Sequence, residues 1–214
     1  MKIGFLDDDY DVFESAKSSF TDYKIELIKL DSIDNVSDYE KIVNVIFFHN
    51  LDAIFIDYNL RKLTTENGTI VVKNLIDLLP DFPIFLITNF IDDGAEDLIV
   101  PKNDILKKEI FEEDDDSETF KEFIENIKNR IDCYKHKIKI NEDQYLLLLE
   151  KRRNKTLSEE DNNKFIKLYK ILEIYRKVDP LPKELLDNKF EVLMTQLNDA
   201  LSDFSNELKS QKHE

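Results

Sequence analysis

Cysteine is nearly absent from the sequence, with Cys133 as the single example among 214 residues. One thiol cannot form a disulfide within the chain, so a disulfide-stabilised secreted domain is excluded and a reducing cytoplasm is the expected setting. There is also no run of 18 apolar residues, so we expect no membrane-spanning helix. The N-terminus lacks the apolar segment of a signal peptide, because acidic residues follow the first short apolar run.

Basic residues are scarce in the first half of the chain. Residues 1–114 carry 25 acidic and 11 basic side chains, a balance of −14, and the remaining residues add only −2 to the total of −16. Because phosphate contacts need Lys and Arg, this balance argues against nucleic acid as a partner. An acidic surface suits cations or basic proteins instead. With 42% hydrophobic and 36% charged residues, we expect a globular protein with a heavily charged surface.

Short apolar runs alternate with helix-like segments through this first half. The runs that predict strands lie at residues 2–6, 24–30, 52–57, 82–88 and 103–108. The segments with helical spacing lie at residues 11–20, 38–48 and 68–79. Repeated strand–helix units predict a parallel sheet with helices on both faces. We therefore expect a doubly wound, flavodoxin-like α/β fold with five parallel strands in the order 2-1-3-4-5.

From residue 117 onward the sequence contains no strand-like run. The helical pattern predicts helices at 117–138, 142–153, 158–179 and 183–210. Ser117 and Ser158 stand where N-caps are expected, and Asp161 completes a capping box with Ser158. We predict an α/β domain at 1–137 and an all-α output or interaction domain at 138–214. The apolar stripe of the last helix is expected to pack within this helical region and to leave some surface for a partner, and a homodimer stays open.

Acidic side chains stand at the ends of two predicted strands. Asp7 and Asp8 follow the first strand, and Asp57 ends the third. In the order 2-1-3-4-5 these strands are neighbours, so their carboxyl ends should bring the three carboxylates to one crevice. Clustered carboxylates repel one another unless a hard cation lies between them, and Mg²⁺ prefers such oxygen ligands. The sequence therefore predicts a magnesium site here.

A metal beside Asp57 would allow its carboxylate to act as a nucleophile on a phosphoryl group and form an aspartyl phosphate. The metal and a lysine would stabilise the charge on the transferred group, and Lys107 at the end of the fifth strand could supply that lysine. Thr88 ends the fourth strand, where its hydroxyl could donate a hydrogen bond to a phosphoryl oxygen. Such an arrangement is typical of an electrostatic switch.

The segments IGFLDDD, DAIFIDYNL, PIFLITN and DILKK together resemble the receiver domain of bacterial two-component response regulators, over residues 1–137. The resemblance implies that a kinase or other phosphodonor protein and an output protein are the partners. It also implies a role for each site residue: Asp7 and Asp8 as the metal-binding pair, Asp57 as the phosphoacceptor, Asn59 as a metal ligand through its backbone carbonyl, Thr88 as the switch hydroxyl, and Lys107, or Lys108 if the register shifts by one, as the phosphate-contacting lysine.

The sequence departs from the receiver pattern in three places, so it is similar to a divergent receiver. No proline follows soon after Asp57, and none follows the lysine. The position on strand five that the family fills with an aromatic residue holds Asp104 or Ile105, depending on the register of the lysine. The tail has no evident helix-turn-helix with a basic recognition helix, so we expect output through protein contacts rather than through DNA.

Two alternatives stay open at this point. A phosphohydrolase of the haloacid dehalogenase type would use Asp7 as nucleophile, Asp9 as acid/base and Asp92 or Asp93 as metal ligand. Against it, Asp11 stands where Thr or Val is usual, and Asp57 would have no role. The other alternative is a constitutive pseudo-receiver adaptor, which ranks lower because all the key side chains are present. In the favoured interpretation the protein is not an enzyme beyond its own phosphorylation and dephosphorylation.

Overall fold

The computed structural model describes residues 1–31, 38–60, 67–89, 100–112 and 117–182, together with Leu197 and Leu201. The predicted helix at 183–210 lies outside these residues except at those two positions, as do Asp92 and Asp93. Backbone contacts divide the chain into two units, Met1–Ile140 and Asn141–Glu214. The functional division after residue 137 stays a prediction.

In the described part of the first unit, five strands form one parallel sheet. Their order is β2-β1-β3-β4-β5, which confirms the predicted doubly wound α/β fold. Leu6 pairs with Ile56 and Asp57 pairs with Ile87, so the carboxyl ends of the three central strands lie close to the same level. The strands are β1 (Lys2–Leu6), β2 (Glu26–Lys29), β3 (Ala53–Asp57), β4 (Ile84–Thr88) and β5 (Ile105–Lys107).

Each helix begins at a residue whose side chain accepts a backbone N–H. Asp9, Asp38 and Asn67 cap the first three helices, and Ser117 and Ser158 cap the last two, as predicted for both serines. Within the described residues, no helix combines the length and the apolar character that crossing a membrane requires. The helices are α1 (Tyr10–Thr21), α2 (Tyr39–His49), α3 (Gly68–Leu78), α4 (Glu118–Arg153) and α5 (Glu159–Ile174), and 3₁₀ turns occupy Lys102–Asp104 and Lys108–Glu112.

The predicted break between helices at 117–138 and 142–153 is wrong, because α4 is one continuous helix of 36 residues. It contains neither glycine nor proline, so nothing in its sequence interrupts the backbone hydrogen bonds. The helix predicted at 158–179 is shorter than expected, because α5 ends at Ile174, five residues before the predicted end. The chain turns there, with Arg176 at a positive φ of 53°.

A cluster of phenylalanines fills the face of the sheet that is covered by α1 and α4. Alternate residues of β1, β3 and β4 point to this side because side chains in a strand alternate between its two faces. Ring centroids of neighbouring members lie 5.6–6.2 Å apart, mostly in tilted or edge-on arrangements. This phenylalanine cluster consists of Phe5, Phe13, Phe20, Phe55, Phe85, Phe111, Phe120 and Phe123, all buried.

Among the described residues, three ion pairs connect α4 to the amino ends of the strands. Nζ of Lys135 lies 2.6 Å from Oδ1 of Asp52, which precedes β3. Nη2 of Arg130 lies 3.7 Å from Oδ2 of Asp104, which precedes β5. A third pair joins Lys137 to Asp81 before β4. These amino-end ion pairs match three acidic residues with three cations, at the end of the sheet opposite to the predicted site.

Candidate functional site

The structure brings together the three aspartates that the sequence places in one crevice. Asp7 is the first residue after β1, and Asp57 is the last residue of the neighbouring strand β3. One carboxylate oxygen from each of Asp7, Asp8 and Asp57 can be chosen so that all three lie within 4.8 Å of one another. Asp7 and Asp57 are only 4% and 2% exposed, and Asp8 is partly exposed.

Lys108 is the lysine that reaches this cluster. Its Nζ lies 2.8 Å from Oδ2 of Asp7 and 3.0 Å from Oδ1 of Asp57, and its side chain is 15% exposed. Lys107 instead has a 50% exposed side chain and pairs with Glu109 at 3.9 Å. Because β5 ends at Lys107 and a 3₁₀ turn begins at Lys108, it is the residue after the strand whose side chain is directed to the carboxylates.

Burial and mutual repulsion dominate the electrostatics of the two buried carboxylates. Burial and the charge of Asp7 raise the pKa of Asp57 above its ordinary value, although Lys108 and the backbone N–H of Asn59 act to lower it. Burial acts to lower the pKa of Lys108, but its hydrogen bond to Asp7 and the charge of Asp57 outweigh that effect and raise it. The site therefore favours a charged lysine and resists a full negative charge on Asp57.

The second oxygen of Asp7 is engaged with the start of α1. Its Oδ1 accepts a hydrogen bond from the backbone N–H of Asp9 at 2.8 Å. The exposed carboxylate of Asp9 in turn accepts the N–H of Asp11 at 3.0 Å and caps the helix. Asp9 is thus an N-cap in this structure, and nothing in its contacts supports the acid/base role that the phosphohydrolase alternative assigns to it.

The backbone around Asp57 is held from two sides. The N–H of Tyr58 donates to the carbonyl of Ile87 at 2.8 Å, and the carbonyl of Tyr58 accepts the N–H of Gly68 at 2.8 Å. A Cβ on Gly68 would lie 2.1 Å from the carbonyl oxygen of Asp57, so only glycine fits at the start of α3. Gly68 is one of only three glycines in the chain, and this scarcity is the one signal in the sequence for the close contact.

Two further predicted site residues, Thr88 and Asn59, lie near Asp57. Thr88 is buried at the end of β4, one residue beyond the partner of Asp57 in the sheet register. Asn59 is exposed and donates its backbone N–H to the Asp57 carboxylate. Their roles as switch hydroxyl and as carbonyl ligand stay predictions. With Lys108 as the lysine that reaches the carboxylates, the strand-five position named in the sequence analysis is the buried, aliphatic Ile105.

The donor set fits a magnesium ion. Mg²⁺ binds oxygen at about 2.1 Å in an octahedral arrangement, so two of its ligand oxygens lie at most about 4.2 Å apart. Carboxylate oxygens within 4.8 Å of one another need only small side-chain rotations to satisfy that geometry. All three donors are carboxylates, which are the hard oxygen ligands that this ion prefers over nitrogen or sulfur.

Comparisons with known proteins give no family assignment. No protein-family model matches the sequence, and no curated protein matches it. Among solved structures 19 chains match. One is the solution structure of the beryllofluoride-activated NtrC4 receiver domain dimer, with 15% identity, a TM-score of 0.43, and coverage of 62% of this chain and 98% of that chain. The strand order and register of the chain itself establish its fold.

We predict that Gly68→Ala strongly destabilises the first unit, whereas Gly4→Ala costs less. The Cβ at position 68 would collide with backbone, at 2.1 Å from the Asp57 carbonyl oxygen. At position 4 the nearest atom is Cδ1 of Leu51 at 2.7 Å, which belongs to a side chain that can rotate. Overpacking that forces backbone shifts costs typically about 1–3 kcal/mol and occasionally more. Thermal unfolding of both variants checks this, and an equal loss of stability would contradict the proposed backbone contact.

We predict that Asp57→Asn raises the thermal stability of the protein in a buffer without divalent cations at pH 7. Because the folded pKa of Asp57 lies above its unfolded value, ionising this carboxyl costs folding free energy as pH rises through that range. The variant does not incur this cost. We expect its melting temperature to rise by roughly 2–4 °C for each kcal/mol that ionisation of Asp57 costs the wild type, and this gain to fade below a pH of about 4.

The matched control for this measurement is Glu122→Gln, which removes one exposed carboxylate from α4 and changes the net charge equally. We expect it to leave the melting temperature nearly unchanged. An Asp57→Asn variant that melts below the wild type at pH 7 would show that the Lys108 ion pair outweighs the burial of the charge.

Proposed function

We propose that this chain is a signalling protein whose state is set by Mg²⁺-dependent phosphorylation of Asp57 and is passed to a protein partner through its C-terminal helical region. The observation that carries the proposal is the position of Lys108, whose Nζ lies within 3.0 Å of both Asp7 and Asp57. A buried carboxylate at a strand end, beside two further acids and one fixed cation, is suited to accept a phosphoryl group.

Each side chain of the site has a task in this reaction. Asp7, Asp8 and Asp57, with the carbonyl of Asn59, would hold Mg²⁺, which supplies charge neutralisation when it is bound. A carboxylate oxygen of Asp57 attacks the phosphorus of the donor, and the leaving group departs with the electron pair of the broken P–O or P–N bond. Lys108 lies close enough to Asp57 to contact oxygens of the attached phosphoryl group and stabilise their charge.

Two features support the choice of partners: the acidic first half of the chain and the continuity of α4. A kinase or another phosphodonor protein would supply the phosphoryl group, and a basic surface on it would complement the acidic first half of this chain. On the output side, α4 contributes residues to both units, Met1–Ile140 and Asn141–Glu214. We assign the output contact to the helical region because that region is built of helices alone within the described residues.

We predict that the protein, incubated with Mg²⁺ and a small phosphodonor such as acetyl phosphate, forms a base-labile adduct on Asp57. Intact-protein mass spectrometry would detect the adduct, and peptide mapping would locate it. Asp57→Asn should abolish the adduct, and Lys108→Ala should slow its formation by about 100-fold, as the loss of a charge-stabilising donor does in other sites. Removal of Mg²⁺ with a chelator should also prevent it.

Lys107→Ala is the matched control, since it removes the adjacent lysine that pairs with Glu109 instead. It should be phosphorylated at nearly the wild-type rate. An adduct on Asp7, or turnover of phosphate esters that is lost on Asp7→Asn but kept on Asp57→Asn, would establish a phosphohydrolase. Absence of both an adduct and Mg²⁺ binding would establish a constitutive adaptor.

A further inference from the structure

The direction of Lys108 depends on the 3₁₀ turn that follows β5. This turn covers Lys108–Glu112 and contains no proline. A short 3₁₀ segment has weak internal hydrogen bonds and is not rigid by itself. The Lys108 side chain nevertheless reaches two buried carboxylates at hydrogen-bond distance. Contacts between the turn and residues outside it must therefore fix its backbone.

Phe111 supplies the first of these contacts. It lies three residues after Lys108, is 2% exposed and belongs to the phenylalanine cluster. Its ring centroid lies 5.9 Å from that of Phe5, on the strand that leads to Asp7, and 6.2 Å from that of Phe55, on the strand that ends at Asp57. The turn is thus packed against the same two strands that carry the carboxylates.

Ser15 supplies the second contact. Its hydroxyl donates a hydrogen bond of 3.0 Å to the backbone carbonyl of Phe111, 96 residues away in the chain. Ser15 belongs to α1, whose N-cap Asp9 donates its backbone N–H to Asp7. A closed circuit of contacts therefore runs from Asp7 through α1 to the turn, and from the turn through Lys108 back to Asp7.

We infer that Ser15 and Phe111 are positioning residues that hold the Lys108 ammonium group between Asp7 and Asp57. Neither contacts the carboxylates, so each acts only through the turn. The consequence for phosphoryl transfer rests on the proposed function, whereas the placement of Lys108 does not. Two measurements can therefore be separated, one on the lysine itself and one on the reaction.

The placement is tested by chemical labelling of lysines. The full chain is treated with limiting acetic anhydride, and the extent of acetylation at Lys107 and Lys108 is read from one peptide by tandem mass spectrometry. In the wild type Lys108 should react more slowly than the half-exposed Lys107, which serves as an internal reference. Ser15→Ala should raise the rate at Lys108 by about threefold to tenfold and leave Lys107 unchanged, as expected for the loss of one restricting hydrogen bond.

Two matched variants control for general loosening of the fold. Ser19→Ala removes a hydroxyl one turn further along α1 that bonds only its own helix, at the carbonyl of Ser15. Phe85→Leu is the control for Phe111→Leu, because Phe85 is also 2% exposed and also contacts Phe55, but lies on β4. Ser15→Ala and Phe111→Leu should increase the labelling of Lys108, and the two controls should not. Unchanged labelling in both test variants, or equal increases in all four, would overturn the inference.

The reaction provides the second measurement. Ser15→Ala should slow adduct formation by about threefold to tenfold in the otherwise wild-type chain, but by less than about twofold when combined with Lys108→Ala, because both act through the same lysine. Independent, multiplying effects would show that Ser15 acts by another route. If the wild type forms no adduct, the proposed function fails, and the labelling result alone decides the role of Ser15 and Phe111.

Discussion

The ammonium group of Lys108, between the carboxylates of Asp7 and Asp57, is the contact on which the site depends. Removing charges from water costs several kcal/mol per ion, so two buried acids side by side are tolerated only where a cation compensates them. Lys108 directly follows β5, and β4 lies between that strand and β3. The lysine can reach Asp57 only because the turn after β5 is anchored to the core.

The architecture and the acidic cluster follow from sequence patterns with local causes. The apolar runs at 52–57 and 82–88 are strands buried on both faces, and such strands occur in parallel sheets covered by helices. Once the order 2-1-3-4-5 is assumed, the residues after β1 and at the end of β3 must meet, because neighbouring parallel strands end at the same side. Asp7, Asp8 and Asp57 lie where this rule places them.

Other features depend on contacts that no local pattern encodes. The choice between Lys107 and Lys108 depends on where a three-residue strand ends, and alternation over so few residues cannot fix it. The close approach of Gly68 to the carbonyl of Asp57 and the hydrogen bond from Ser15 to Phe111 each join separate segments of the chain. Only the folded structure shows them. The continuity of α4 is hidden for a different reason, because the polar residues Asn141, Glu142 and Asp143 resemble a loop although none of them breaks a helix.

The amino-end ion pairs are more exposed than the carboxylate site, so the two ends of the sheet differ in their sensitivity to ionic strength. Mobile ions screen charges beyond a distance of about 8 Å at physiological salt and weaken exposed pairs even when they are close. At the amino ends, added salt would weaken the attraction that ties Lys135 and Lys137 of α4 to the sheet. At the carboxyl ends, the pairs of Lys108 with Asp7 and Asp57 are buried, so the same salt would screen them far less. Added salt therefore loosens the attachment of α4 to the sheet while it leaves the carboxylate site nearly unchanged.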